Sequence, residues 1–566
     1  MKILIIQILR MGDALQLLPL IKGIKRLFPK SEICLLTSHL EKSVFDIEPD
    51  IAAIYTLNKE TISTLVSRGS KADVISALEQ LENDLAAVSD IEWDWVINFS
   101  HTFSSALLGF ILNAKYRSGF KVDDRRRYRA RERWFAYSLA SFPNRRYSNF
   151  NWVDINKNVI GLDSIPHPPF IEPNRLDIVQ AKEFFNQTGF ANEKIAGIHP
   201  GASVEYKMWP VEKFAELSRI LINNHGYKIL IFGNLEGKHL SNRLKQMIGR
   251  GAENLAGKTS LEELTAFLSL CDVLITNDTG PMHLASAVNT RTIGLFFTTH
   301  FIETGPYGAG HVAIHPNISC FPCQGPARCL HKDCLQYISP ETVEAVIANR
   351  GVFEKNGSTD FLKSDRGKVK VFVSDFDPWG NLEWLPLERR PIGFDELQRL
   401  LLKTTWLYFY GKQQDLNSSE DEYLSQMLGF FHTDGRSERL IEAVESFIDR
   451  LGEFMSLLEK GKQVAVDIQA ELMKIDFDTL RVRQLGEKLT RIEDKISNFD
   501  KASSISFLSE LFTVFCENIE QEEPLELSTK TIGSYSDIMA ITSGIINRAK
   551  KLTALLDMKP QTSGTP

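Results

Sequence analysis

Three short segments place charged and polar side chains directly after apolar runs, where an α/β sheet binds its ligands. The first is Gly12-Asp13-Ala14-Leu15 through Pro19, after the run at residues 2–8. A glycine lets the chain turn tightly from strand into helix. Asp13 then projects toward the crevice and can act as a general base on a hydroxyl within hydrogen-bond reach. The same carboxylate also suits a helix cap. The second segment is His199-Pro200-Gly201-Ala202-Ser203, followed by Lys207-Met208-Trp209-Pro210. A strand end, a glycine turn and a lysine ahead of a helix make a site for an anion, with a point charge and directed backbone N–H groups. The third is Asn277-Asp278-Thr279-Gly280-Pro281-Met282-His283. Thr279 fits a helix cap and Pro281 the first helical turn. Gly280 permits close backbone approach, and the free N–H groups of a helix start favour a phosphate. Asp278 beside a phosphate is better suited to orienting its neighbours or meeting a sugar hydroxyl. His283 is either a site residue or a buried helix histidine.

The elements needed to hold these segments can be read along the chain. Residues 2–8, 33–36 and 94–99 are strand candidates, with helical spacing over 15–27. A second series begins near residue 194, with strand candidates at 195–199, 228–233, 273–277 and 292–297 and helices at 211–223 and 261–270. This is the β-α-β rhythm of parallel sheets covered by helices. Ligands bind such sheets beyond the carboxyl ends of the strands. The expected fold is therefore α/β, with two Rossmann-like doubly wound domains facing a cleft. The expected division is an N-terminal acceptor domain at 1–170, a donor domain at 171–350, a linker with a small hairpin at 351–392, a mainly helical appendage at 393–558 and a disordered tail at 559–566. The appendage is expected from apolar stripes such as Leu440, Val444, Phe447, Leu451, Phe454 and Leu458.

Composition limits the partners. The chain has 566 residues, too many for one core, with 43% hydrophobic and 24% charged residues and a formal net charge of -7. That charge argues against a general nucleic-acid binder. No apolar run approaches the roughly 18 residues of a membrane span. The start, Met1 to Ile6, is too short for a signal peptide and reads as a buried strand, so cytosol is the expected compartment. Cys320, Cys323, Cys329 and Cys334 form C-x2-C-x5-C-x4-C. Such clustering suggests a structural zinc or iron site before disulfides, with His331 able to replace one cysteine. Reduced or redox-active thiols are the alternative. Arg125, Arg126, Arg127, Arg129, Arg131 and Arg133 crowd one stretch. They suit an acidic glycolipid, an anionic glycan acceptor or the cytoplasmic face of the inner membrane, or else a solvated charged loop.

The segments GDALQLLP, HPGAS with Lys207 and Trp209-Pro210, and NDTGPMHLASA together resemble glycosyltransferase family 9, the bacterial heptosyltransferases of lipopolysaccharide core assembly. The resemblance covers about residues 1–350. It implies a GT-B fold and metal-independent inverting transfer, with no cofactor for catalysis. It implies ADP-heptose as donor and a lipopolysaccharide core or related surface glycan as acceptor. It makes Asp13 the base and places Ser203, Lys207, Thr279 and Gly280 at the diphosphate. Asp278 and His283 would line the donor sugar and phosphate site, and Glu236 would contact the ribose. A different nucleotide-sugar donor with a protein or glycan acceptor, a scaffold built on an inactive core, and a nucleotide-sugar epimerase are the competing readings. The appendage is expected to serve packing or oligomer contacts.

Overall fold

The structure is a computed structural model. It describes the chain apart from residues 9, 40, 124–126, 130–131, 163–164, 166–167, 169, 324–328, 330–331, 350–364, 366, 389, 412–415, 433–436, 502, 504, 520–522 and 558–566. The tail at 559–566, most of the linker before residue 365, Arg125, Arg126, Arg131 and His331 lie outside the described residues.

The first sheet has five parallel strands: β1 (Lys2–Gln7), β2 (Glu32–Ser38), β3 (Ile51–Leu57), β4 (Trp93–Asn98) and β5 (Ala114–Gly119). Their order is β3-β2-β1-β4-β5, so the connections reverse direction between β1 and β4. Ile3 to Ile6 of β1 are all fully buried. A strand covered on both faces has no solvent side, so its residues need not alternate with polar ones.

The second sheet has eight strands: β6 (Lys194–His199), β7 (Tyr227–Ile231), β8 (Ala252–Asn254), β9 (Val273–Asn277), β10 (Thr292–Leu295), β11 (Val312–Pro316), β12 (Val369–Phe376) and β13 (Leu382–Pro386). The order is β8-β7-β6-β9-β10-β11-β12-β13, parallel through β11. Its reversal lies between β6 and β9. The hairpin β12–β13 then joins β11 antiparallel, pairing Ile314 with Val371. The two doubly wound sheets of the expected GT-B fold are thus both present.

A buried polar cluster fixes the hairpin turn. Lys157, on the helix Trp152–Val159, donates to the Gly380 carbonyl at 2.9 Å and to Asn381 Oδ1 at 3.0 Å. Asp154, on the same helix, accepts from the Tyr307 hydroxyl at 2.7 Å and from the Leu382 N–H at 2.8 Å. Lys157 and Asp154 stand 3.4 Å apart, both buried. Buried charges persist when they are paired and hydrogen-bonded, as these are.

The chain divides into two compact units. One is Met1–Lys121 with Phe150–Arg389 and holds both sheets. The other is Val122–Asn149 with Arg390–Pro566. Sequence order assigned residues 122–149 to the N-terminal α/β domain. In the structure they group with the helical region, because aromatic side chains of the helix Arg133–Ser141 pack there. Trp406 meets Tyr137 at 4.9 Å and Trp134 at 6.1 Å between ring centroids, and Phe507 meets Tyr137 at 5.2 Å. The long helices Ser437–Leu472 and Pro524–Asp557 form much of the rest. Val444, Phe447, Leu451, Phe454 and Leu458 are buried, as their spacing requires. Among the described residues no helix is long and apolar enough to cross a membrane.

Trp406 is a central anchor of this aromatic group. Trp406→Ala should cost about 3–5 kcal/mol. Hydrogen exchange should report the loss across both Phe394–Tyr410 and Arg133–Ser141. Unchanged protection in the second helix would show that the two do not share one core.

Candidate functional site

The carboxyl ends of β1 and β4 build the first half of the site. A short helix, Met11–Leu15, follows β1 and carries Gly12 and Asp13. Asp13 Oδ2 accepts the Arg10 N–H at 3.3 Å, so the carboxylate does cap the helix start. Gln7 Nε2 donates to the Asp13 carbonyl at 3.5 Å, and Gln7 Oε1 accepts from Ser100 Oγ at 2.7 Å. Ser100 Oγ also accepts the Ile8 N–H at 2.9 Å. The two strand ends are therefore stitched together beneath Asp13. Burial pushes the Asp13 carboxyl above its ordinary range. The neighbouring His101 and the N–H and charge of Arg10 act against that rise, and the Asp278 carboxylate adds to it.

The ends of β6, β9 and β10 build the second half. Asn277, the last residue of β9, accepts the Trp209 N–H at 2.9 Å. Its amide donates to the Pro200 and Gly201 carbonyls at 2.8 and 3.2 Å. One buried side chain thus holds the turn after β6 against the segment carrying Lys207. Lys207 Nζ donates to Asp278 Oδ2 at 2.7 Å, and the Thr299 hydroxyl donates to the same oxygen. Thr279 occupies the cap position of the helix Gly280–Ala287, but its side chain makes no capping bond. Pro281 sits in the first turn as expected.

The two halves meet closely. A methyl group on Gly12 would stand 3.5 Å from His283 Cδ2, and one on Gly280 would stand 3.1 Å from Met11 Cε. Gln16 Nε2 lies 3.5 Å from His283 Nε2. His283 is buried, which lowers its pKa to about 4. The imidazole is neutral at physiological pH and offers the site shape and one hydrogen bond rather than charge.

The remaining sequence candidates are placed as follows. Ser203 is exposed in the turn after β6, and Glu236 is exposed in the loop after β7. Arg127 and Arg129 belong to the helical unit, where both turn onto the buried Asp123, at 2.9 and 3.0 Å. Those two arginines pull the Asp123 carboxyl down to about 2 against its burial. Arg129 is itself buried, so its charge is spent inside the unit. Arg133 pairs with Asp537 at 2.9 Å and stacks over Tyr410. Cys320 is exposed, and Cys323, Cys329 and Cys334 are partly so. Burial, then the neighbouring Cys329, Cys320 and Cys323, push the Cys334 thiol up to about 11. Among the described residues no three Cys, His, Asp or Glu side chains are gathered as a metal cage. Sequence reading gave no role to Asn277, Thr299, Gln16 or His101. Thr299 and His101 follow the apolar runs at 292–297 and 94–99, so the beyond-the-strand rule that selected Asp13 also covers them.

Three buried histidines, His199, His283 and His311, each have a pKa lowered to about 4, first of all by burial. Each is neutral in the fold and takes up a proton on unfolding between about pH 6.5 and 4. Stability contributed by neutrality is full above pH 6.5 and is lost as pH falls through that window, by up to roughly 3 kcal/mol per histidine. The urea midpoint should therefore drop between pH 7.5 and 5. His311 precedes β11 at the amino end of the sheet, away from the site. His311→Asn should flatten the slope, and an unchanged slope would place the proton uptake elsewhere.

Residues 86–332 match the model of glycosyltransferase family 9 (heptosyltransferase). Lipooligosaccharide heptosyltransferase 2 of Campylobacter jejuni is 33% identical over 158 residues, covering 27% of this chain and 49% of that protein. The chain thus spans about half the length of that curated relative. A lipopolysaccharide core heptosyltransferase of Haemophilus influenzae is 26% identical over 308 residues, covering 54% of this chain and 81% of its own. Among solved structures, a glycosyl transferase family 9 protein from Veillonella parvula aligns with a TM-score of 0.50 at 20% identity. That alignment covers 62% of this chain and 98% of the other, a likeness of fold.

Proposed function

We propose that this chain, which carries a glycosyltransferase family 9 domain at residues 86–332, is an inverting glycosyltransferase that moves heptose from ADP-heptose to a hydroxyl of a lipopolysaccharide core or related surface glycan. The observation that carries the reading is the close meeting of the Gly12-Asp13 turn with the helix start at Gly280 and with His283. A base on one side and an anion site on the other then face one reacting centre.

In this reading the acceptor hydroxyl gives its proton to Asp13 as its oxygen attacks the anomeric carbon. The bond from that carbon to the diphosphate oxygen breaks, and its electron pair leaves with ADP. Attack opposite the leaving group inverts the configuration. Charge grows on the departing diphosphate, so groups that hold it more tightly in the transition state accelerate the step. Lys207, kept in place by Asp278, and the N–H groups at Thr279 and Gly280 supply that hold. Ser203 is assigned to the phosphates, Asp278 and His283 to the sugar side, and Glu236 to the ribose. The work is assigned to the cytoplasm, with docking to the inner face of the membrane through the acceptor.

Asp13 also carries a test that separates function from folding. Its raised pKa means that the carboxylate destabilises the fold above its unfolded pKa, while the protonated form is favoured below it. Asp13→Asn should therefore raise the melting temperature at pH 7.5 while lowering turnover roughly 100-fold or more. Turnover is read as ADP release from ADP-heptose with deacylated core oligosaccharide from heptose-deficient cells, and mass spectrometry identifies the product. Retained turnover in Asp13→Asn would remove the base assignment. Turnover only with another nucleotide sugar would change the donor, and turnover without acceptor would point to an epimerase.

We also propose that Cys320, Cys323, Cys329 and Cys334 hold a structural zinc or iron ion. The mutual pressure of these thiols on Cys334 supports it, since a bound cation would relieve the crowding of negative charge as they ionise. Anaerobically purified protein should carry about one metal per chain by elemental analysis, and Cys334→Ser should lose it. Metal-free protein of equal stability would overturn the assignment.

A further inference from the structure

We propose that Phe321, Cys323 and Thr299 are positioning residues for Lys207, a relay that fixes the lysine through the Asp278 carboxylate. The inference rests on the reading of Lys207 as the cation that meets the donor diphosphate.

The relay starts on the second sheet. His315 of β11 and Phe372 of β12 lie nearly parallel, 9° between planes with centroids 5.7 Å apart. Phe321 lies flat against His315, at 4.1 Å and 12°. It also stacks with His300, at 6.1 Å and 30°. Phe321, His300, His315 and Phe372 are all buried. Two paired strands supply this platform, so the ring and the turn that follows it have little freedom. In that turn the Cys323 N–H donates to the Thr298 carbonyl at 2.8 Å. The carbonyl belongs to the peptide joining Thr298 to Thr299. Because a peptide is planar, the bond fixes the plane from which Thr299 departs. The role does not depend on a metal at the thiols.

Thr299 carries the constraint onward. Its hydroxyl donates to Asp278 Oδ2, the oxygen that also accepts from Lys207 Nζ at 2.7 Å. A lysine ammonium rides on a flexible four-carbon stem, so its partner decides where it stands. The Asp278 side chain is only 9% exposed and that of Lys207 17%. A hydrogen bond to a carboxylate in such a place is stronger than one in water. Later in the cysteine segment, Lys332 pairs with Glu205 at 2.9 Å, and Glu205 opens the short helix Glu205–Lys207. Glu205 is exposed, so that pair adds little strength. The bond at the Thr298 carbonyl is the firmer of the two ties.

Calorimetric titration of the full chain with ADP reads the lysine. Titration with adenosine, which lacks the diphosphate, reads the integrity of the nucleoside site. Thr299→Val keeps the shape and removes the hydroxyl, and should weaken ADP about 10-fold, while Thr299→Ser should keep native affinity. Phe321→Leu keeps the bulk and removes the flat ring, and should weaken ADP about 3-fold. Adenosine should bind each variant as it binds the native protein. Added to Thr299→Val, Phe321→Leu should cost nothing further, since both act through one hydroxyl. Native ADP affinity in Phe321→Leu or in Thr299→Val, losses that multiply in the double variant, or equal losses of ADP and adenosine would each overturn the relay. Lys207→Met tells its failure from that of the underlying reading. If Lys207→Met binds ADP as tightly as the native protein, the diphosphate reading fails and the relay falls with it. If Lys207→Met loses ADP while Thr299→Val does not, the relay alone is wrong.

Discussion

The turn after β1 and the helix at Gly280 come together at van der Waals contact, and the tightest point of that approach is the missing side chain of Gly280. Gly12 faces His283 and Gly280 faces Met11, with room for little more than contact. A methyl group at Gly12 would just touch the His283 ring, whereas one at Gly280 would press on the end of Met11 and require that side chain to give way. Asp13 follows Gly12 directly and the helix Gly280–Ala287 begins at Gly280, so this spacing governs how close a carboxylate stands to a helix start.

Around that contact the charges are arranged unequally. Lys207 and Thr299 both spend a hydrogen bond on one oxygen of Asp278, which leaves the lysine oriented before any ligand arrives. His283 stays uncharged because it is buried. Asp13 stands between burial, which favours its neutral form, and His101 and Arg10, which favour the anion. A group balanced in this way responds readily to a change in its surroundings. Fixed dipoles and fixed charges of this kind act without reorganising as reaction charge develops.

Much of this was legible in the sequence because position after a strand is a local signal. The apolar runs that became β1, β6 and β9 located the segments holding Asp13, Gly201 and Asp278, and the spacing of Val444 to Leu458 located one buried helix face. What escaped was long-range. Nothing in the spacing of Trp134 and Tyr137 says that they will pack on Trp406, some 270 positions later. Arg127 and Arg129 looked like free charge because Asp123, their buried partner, is only one acid among many until the fold closes around it. Asn277 reads as a polar strand end, and only the structure shows three backbone groups converging on its amide.

The hairpin β12–β13 lies beyond the residues matched to the family, yet it is not a detachable ornament. It pairs along β11 from Val312 to Pro316, and its turn takes up the bonds of Lys157 and Asp154. A protein cut back to residue 332 would leave β11 with an open row of N–H and C=O groups, a template for another chain. It would also strip a buried ammonium and carboxylate of several partners at once. The smallest piece that keeps β11 paired therefore runs to β13, so evolutionary trimming or domain grafting must respect a boundary some fifty residues past the family match.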